Sequence, residues 1–177
     1  KGTRRMSELR PGEKVRVWGP LGNGFVIEPD TPTLLLAGGM GIVPFVGYVS
    51  EHPKPWNVSM LFGHREPISC YPVDSINEHV PLDSLRETVP GDLDNFIYSI
   101  QDRMAEFAEQ KGLVLACGPT PFMQTVQKFT AELGVRCQLS LENRMACGVG
   151  ACLGCVSKTT ENWPVPAKRG GQVQVCN

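Results

Sequence analysis

Hydrophobic residues along the middle of the chain are grouped in short runs that predict β-strands. Residues 33–37 and 113–117 are almost wholly apolar, which is typical of strands covered on both faces of a parallel sheet. Residues 57–62 and 135–141 predict two further strands. Residues 66–95 are irregular and rich in proline, and no secondary structure is predicted there.

Between these runs, apolar residues recur at the spacing of amphipathic helices. One helix is expected from the glycine-rich turn after residue 37 through about Ser50, and another from Phe96 to Gln110. A third begins near Thr120, the expected N-cap, with Pro121 in its first turn. Strands and helices that alternate in this way predict an α/β fold with a doubly wound parallel sheet.

The first part of the chain has a different pattern. Residues 7–28 predict β structure, because a turn at residues 11–14 precedes the alternating segment 15–18. One or two strands cannot bury a core of their own, so we interpret this segment as the remnant of a β domain. The predicted domains are therefore 1–30, 31–141 and 142–177, the last being rich in cysteine.

Composition and charge exclude some functions. The chain has 177 residues and a net charge of −1, which gives no electrostatic reason to expect binding to nucleic acid or to an anionic membrane. No apolar run approaches the ~20 residues that span a bilayer. Seven cysteines, an odd number, argue against a closed disulfide framework. We therefore expect a reducing compartment, the cytoplasm.

Four cysteines carry the strongest chemical signal. Cys147, Cys152 and Cys155 are separated by four and then two residues, and Cys176 follows after twenty more. This is the plant-type spacing for thiolates that hold a [2Fe-2S] cluster. Zinc sites usually pair cysteines in two matched halves, so zinc is the weaker alternative, and unliganded cysteines are the weakest. We call residues 147–155 the cysteine loop.

Two glycine-containing turns indicate a nucleotide site. Residues 38–44 read Gly-Gly-Met-Gly-Ile-Val-Pro, and Pro44 stands where the last glycine of a dinucleotide fingerprint would be. Cys117, Gly118 and Pro119 end another predicted strand. Ligands of doubly wound sheets bind beyond the carboxyl ends of the strands, so both turns are expected to line one crevice. A plain tight turn is the alternative explanation.

A nucleotide domain and a cluster transfer different numbers of electrons. A nicotinamide gives up two electrons as a hydride, whereas the cluster accepts one at a time. A flavin can accept a pair of electrons and release them singly, so we expect one between the two groups.

The motifs at residues 37–44, 116–119 and 140–156 resemble those of the electron-transfer subunits of NAD-dependent dihydroorotate dehydrogenase, which belong to the ferredoxin reductase superfamily. The resemblance implies an FAD-binding β-barrel, of which residues 1–30 would be the remnant, an NAD-binding domain and a [2Fe-2S] subdomain. It also implies a partner, the FMN-containing catalytic subunit that oxidises dihydroorotate to orotate. Electrons would pass through FMN, the cluster and FAD to NAD.

The resemblance also implies roles for single residues. The glycines of the first turn, with Pro44, would lie along the nucleotide, and the second turn would lie near the nicotinamide. Gly2 and Thr3 match the loop that contacts FAD phosphate in the family. The residues expected to bind cofactors are Gly2, Thr3, Gly38, Gly39, Gly41, Pro44, Cys117, Gly118 and Pro119. Residues 85–92 depart from the family pattern, which has an acidic, glycine-containing stretch there.

Two other functions remain open at this point. The chain could be a reductase subunit of a related complex that serves sulfide, sulfite or ferredoxin chemistry. It could also be a zinc-stabilised binding module without redox activity.

Overall fold

The computed structural model describes residues 2–17, 19, 24–141, 146–147, 149, 151–152, 156–158 and 172–174. The chain divides into two compact units. The larger unit comprises residues 24–142, and the smaller combines residues 1–23 with residues 143–177. None of the helices in the described ranges is long and apolar enough to cross a bilayer.

The larger unit is built on one sheet of five parallel strands in the order β3-β2-β1-β4-β5. The strands are β1 (Thr33–Gly38), β2 (Val58–His64), β3 (Leu82–Arg86), β4 (Leu113–Cys117) and β5 (Arg136–Ser140). The direction in which the chain adds strands reverses between β1 and β4, and ligands of such sheets bind at this point. The predicted doubly wound sheet is confirmed.

Helices cover both faces of this sheet. The described helices are α1 (Gly2–Ser7) in the smaller unit, and α2 (Val43–Glu51), α3 (Val73–Asn77), α4 (Asp92–Glu109) and α5 (Thr120–Leu133) in the larger. Alternate residues of β1 enter two separate cores. Leu35 shares a core with Phe45 of α2, whereas Leu34 shares the other with Met104 of α4. The period-two alternation of a strand thus distributes one apolar run to both helical layers.

The structure corrects the prediction for residues 66–95. This segment contains α3 and the edge strand β3, which the sequence pattern missed because β3 carries Asp83, Ser84 and Arg86 on exposed positions. Helix α4 begins at Asp92, four residues before the expected Phe96.

The prediction that Thr120 caps α5 is wrong. Thr120 is the first residue of the helix, the N-cap position is Pro119, and no side chain caps this end.

The prediction of β structure over residues 7–28 is also wrong wherever that range is described. Residues 8–17 and 24–28 contain no strand, and the side chain of Val17 is 85% exposed. Among the described strands, none pairs with this alternating segment, and an unpaired strand is not stable. Instead, Phe25 stacks on Phe45 of α2, with 5.2 Å between the ring centroids, so residue 25 packs on the α/β unit.

The described residues of the smaller unit include an antiparallel pair, β6 (Val156–Lys158) and β7 (Gln172–Gln174). The proposed boundaries at residues 30 and 141, and the origin of residues 1–30 in a flavin domain, stay predictions.

Candidate functional site

A crevice of about 430 Å³ opens at the carboxyl ends of β1, β2 and β3, beside the first turns of α4 and α5. Gly38, Gly39 and Pro119 line it, so the two predicted turns do meet at one site. Most of the remaining lining is apolar or aromatic: Tyr71, Leu85, Leu93, Phe96, Ile97 and Phe122. A concave, largely apolar pocket with a few polar groups at a switch point is where a ligand is expected.

Two phenylalanine rings form one wall of the crevice. Phe96 of α4 and Phe122 of α5 stack with 6.0 Å between their centroids and 11° between their planes. The ring of Phe96 lies against Gly63, where a Cβ would overlap it. The ring of Phe122 lies in the same way over Gly118, where a Cβ would approach it to 2.6 Å. Local sequence patterns do not predict this wall, because the glycine–ring contacts join elements that are far apart along the chain.

Packing and backbone conformation explain why the first turn contains glycine. A Cβ on Gly41 would overlap the backbone carbonyl of Cys117, so glycine allows the turn after β1 to touch the turn after β4. Gly39 has φ of 53°, a left-handed conformation that favours glycine. These contacts account for the glycines without a ligand, and their predicted contact with a nucleotide stays a prediction.

The other predicted residues of this site differ in accessibility. Cys117 ends β4 and is 1% exposed, so its thiol is buried beneath the turns. Pro44 is exposed at the second position of α2. Gly2 lies in α1 of the smaller unit, as does the backbone of Thr3. Their predicted contact with FAD phosphate is not tested.

Charged groups stand at the outer end of the crevice, where β2 and β3 finish. Arg65 donates Nε to Glu87 Oε2 at 2.8 Å and Nη2 to Oε1 at 3.2 Å, a bidentate pair. The hydrogen bond from Arg65 to Glu87 raises the pKa of Arg65. Asp92 Oδ2 accepts hydrogen bonds from the backbone N–H groups of Thr88 and Val89 and from the Thr88 hydroxyl, and these lower the pKa of Asp92.

Two of the four predicted cluster ligands, Cys147 and Cys152, lie in the described residues. The backbone N–H of Cys152 points at Cys147 Sγ, with 3.5 Å between N and S. Hydrogen bonds from the backbone N–H groups of Cys152 and Val149 lower the pKa of Cys147 to about 6. By contrast, burial raises the pKa of Cys137 in β5 to about 11.

This local geometry fits a metal-bound thiolate. N–H groups directed at sulfur stabilise the negative charge that a coordinating cysteine carries. The other two predicted ligands, Cys155 and Cys176, lie outside the described residues. Within the described ranges, no group of three or more His, Cys, Asp or Glu side chains is placed to hold a metal ion.

Comparison with solved structures defines the class of protein. The chain matches the structure of an NADH-dependent reduced ferredoxin–NADP oxidoreductase with a TM-score of 0.74 and 26% identity, covering 99% of this chain and 61% of that one. A C-terminal domain of a hydrogenase from Pyrococcus furiosus shares the fold, with a TM-score of 0.51 and 20% identity over 68% of this chain and 99% of that domain. The chain is therefore a protein of the ferredoxin reductase type.

Comparison with protein families and characterised relatives narrows this class. Residues 142–177 match the family model "Iron-sulfur cluster binding domain of dihydroorotate dehydrogenase B". The electron transfer subunit of dihydroorotate dehydrogenase B (NAD(+)) from Caldanaerobacter subterraneus subsp. tengcongensis is 31% identical over 169 residues, which are 95% of this chain and 66% of that protein. The subunit of the same name from Clostridium acetobutylicum is 32% identical over 177 residues, 99% of this chain and 65% of that protein.

This chain belongs to the family of electron-transfer subunits of dihydroorotate dehydrogenase B. It spans about two thirds of the length of the relatives that it matches, 66% and 65% for the two above.

Proposed function

We propose that this chain is part of the electron-transfer subunit of an NAD-dependent dihydroorotate dehydrogenase complex in pyrimidine biosynthesis. The observation that carries the proposal is the cysteine loop. Its spacing suits a [2Fe-2S] cluster, its segment matches the cluster domain of this family, and its backbone directs N–H groups at Cys147.

Four cysteines would hold the cluster: Cys147, Cys152, Cys155 and Cys176. When bound, a [2Fe-2S] cluster supplies transfer of one electron at a time. The chain's own contribution at Cys147 is a thiol that loses its proton readily, because the N–H groups of Cys152 and Val149 stabilise the thiolate. Metal binding displaces a proton from each cysteine, and a lowered pKa reduces the cost of that step.

The crevice would bind NAD(H). Its apolar wall of Phe96 and Phe122 can exclude water from a flat ring, and its outer end offers Arg65 and Glu87 to polar groups of the ligand. FAD, when bound, supplies the conversion between hydride and single-electron transfer. Gly2 and Thr3 would contact its phosphate, and the rest of its site would belong to a part of the protein outside this sequence.

The partner in this proposal is an FMN-containing catalytic subunit that oxidises dihydroorotate. The odd number of cysteines supports a cytoplasmic complex.

The test is an anaerobic assay of the full-length protein co-purified with its catalytic partner. With dihydroorotate and NAD⁺, we expect one orotate and one NADH to form together, because the substrate loses two electrons and NAD⁺ gains them as hydride. A complex loaded with both flavins that forms no orotate would refute the proposal. A matched complex carrying Cys152→Ser should oxidise dihydroorotate with an artificial acceptor but should not reduce NAD⁺.

A second candidate is a ferredoxin-linked NADP reductase. The similarity to the NADH-dependent reduced ferredoxin–NADP oxidoreductase, at a TM-score of 0.74, favours it. Reduction of NADP⁺ by reduced ferredoxin, in a preparation that is inactive with dihydroorotate, would establish this function instead.

A further inference from the structure

The two compact units of the chain carry opposite charge. Residues 24–142 have seven basic and fifteen acidic side chains, a formal charge of −8. Residues 1–23 and 143–177 together have ten basic and three acidic side chains, a formal charge of +7. The two values nearly cancel in the whole-chain charge of −1. A charged partner therefore meets attraction at one unit and repulsion at the other.

In the larger unit, most basic side chains are already paired with carboxylates. The pairs are Lys54–Asp30, Arg65–Glu87, Arg103–Asp83, Lys128–Glu132 and Arg136–Glu28. Of the other two basic residues, Arg86 donates Nε to the carbonyl of Arg65, and Lys111 forms no ion pair within the described part of the chain. The charge that remains unpaired in this unit is therefore mainly acidic.

Unpaired carboxylates lie along the exposed face of α4. Asp94, Asp102 and Glu109 are exposed, and the helical period places them on one side of the helix. None of the three forms an ion pair with a residue that the structure describes. The side chain of Tyr98, which is 70% exposed, lies on the same side. An acidic surface of another protein would be repelled by this face.

The first part of the smaller unit has the opposite character, and we call residues 4–16 the basic segment. Its five basic side chains are all exposed: Arg4, Arg5, Arg10, Lys14 and Arg16. Among the described residues, only Arg4 has an ion-pair partner, Glu8, with 3.5 Å between Nε and Oε1. The carboxylate of Glu13 accepts the backbone N–H of Arg10. The segment thus presents unpaired positive charge in the unit that contains the cysteine loop.

A bound cluster would not cancel the charge of the smaller unit. Four thiolates, two ferric ions and two sulfides sum to about −2. The loaded unit would therefore keep a charge of roughly +5.

We propose that the basic segment is a docking surface for the protein that exchanges electrons with the cluster, and that this partner meets it with an acidic face. The inference rests on the proposed function, in which the smaller unit holds the cluster. An electron crosses between two proteins only where their redox groups come close, so the partner has to approach this unit. Opposite charge steers the partner there, and the carboxylates of α4 keep it away from the larger unit.

Two other occupants fit the charge distribution less well. A second copy of the chain would offer its acidic unit, but this contact is head to tail and produces open chains of molecules unless it closes into a ring. Nucleic acid and anionic membranes are extended anions, and the excess of carboxylates in the larger unit opposes their approach.

The test measures how fast the full-length protein associates with the FMN-containing catalytic subunit, by stopped flow at about 20 mM and about 300 mM NaCl. We expect the wild-type association rate to fall about tenfold at the higher salt, because exposed charges are then screened. Lys14→Gln with Arg16→Gln should lower the rate about threefold to tenfold at low salt and change it little at high salt. Arg16→Lys should retain the wild-type rate, since it retains the charge.

Lys111→Gln with Lys128→Gln is the matched control. Both lysines are exposed in the larger unit, and the double substitution removes the same charge from the whole chain. The association rate of this variant should stay within about twofold of the wild-type rate. Melting temperatures and a cluster spectrum like those of the wild type would show that all variants are folded and loaded.

Four results would overturn the inference. Association that does not depend on salt, or equal effects of the two double variants, would show that the basic segment does not steer the partner. Salt-sensitive self-association of the protein alone would assign the segment to a second copy. Tight binding to phosphatidylserine vesicles or to DNA, abolished by Lys14→Gln with Arg16→Gln, would assign it to a polyanion.

Orotate formation is a separate readout. A complex that assembles with the expected salt dependence but forms no orotate would refute the proposed function alone. An active complex whose assembly does not depend on salt would refute the docking inference alone.

Discussion

The crevice and the cysteine loop are both rich in glycine, but the described contacts give their backbones different tasks. In the crevice, Gly63 and Gly118 make room for phenylalanine rings, and Gly41 makes room for a neighbouring carbonyl. In the cysteine loop, the backbone N–H groups of Val149 and Cys152 are directed at a sulfur. A glycine-rich motif at the end of a strand can therefore reflect packing alone, whereas the spacing of the cysteines predicts one particular metal chemistry.

The largest expected effect concerns the cysteine loop. Cys147→Ser should abolish the visible absorption of the cluster, because a hydroxyl at this position neither ionises nor binds iron as a thiolate does. Absorption and electron paramagnetic resonance spectra of anaerobically purified protein would measure this. Cys70→Ser is the control, since Cys70 is an exposed cysteine outside the loop. A full cluster spectrum in Cys147→Ser would show that the ligand set is wrong.

The second-largest expected effect concerns the packing between the turn after β1 and the turn after β4. Gly41→Ala should destabilise the chain by about 2–3 kcal/mol, because the new methyl overlaps the backbone carbonyl of Cys117, which cannot rotate away. Gly47→Ala, in α2 with no atom within 4 Å of the added Cβ, should instead stabilise it by about 0.5–1 kcal/mol. Urea denaturation measures both. Equal effects of the two substitutions would contradict the packing role of Gly41.

A smaller cost is expected where a side chain is the obstacle. Gly63→Ala should cost about 1–2 kcal/mol, because the half-buried ring of Phe96 can shift to accept the methyl. In a Phe96→Ala background the same substitution should cost almost nothing beyond its effect on the strand. A double-mutant cycle by denaturation measures this coupling, and additive effects would refute it.

The smallest expected effect is a change in how the melting temperature depends on pH. Hydrogen bonds from Thr88 and Val89 lower the pKa of Asp92 below its usual 3.8, so its stabilisation is complete above that value. It is lost as the pH falls through the lower, folded-state pKa. Asp92→Asn should therefore make the melting temperature less dependent on pH below about pH 4 than it is in the wild type. Identical pH profiles would show that the carboxylate does not hold this turn.

The sequence predicted the centre of the fold better than its edges. The strands β1 and β4 are buried on both faces, so their apolar runs are unambiguous. The edge strand β3 was missed, because one face of it meets solvent and its polar residues resemble a loop. The prediction of a strand at residues 15–18 is wrong for residues 15–17, which the structure describes, because an alternating pattern does not form a stable strand without a partner strand.

The candidate site was predicted in part for similar reasons. The two turns follow from local motifs, and the structure brings them together at the crevice. The roles of Cys147 and Cys152 as cluster ligands also follow from a local motif and stay predictions. The Phe96–Phe122 wall and the Arg65–Glu87 pair depend on which strands are neighbours, and that order was not available from local patterns. The position of Glu87 could not be inferred from motif matching either, because its N–H donates to the carbonyl of His64 in the neighbouring strand β2.

The most direct test of the central claim is the metal and sulfide content of the full-length protein, purified without oxygen. A cluster held by Cys147, Cys152, Cys155 and Cys176 predicts about two irons and two labile sulfides per chain. Zinc in place of iron, or the absence of labile sulfide in folded protein, would contradict the claim that this chain transfers electrons through a cluster.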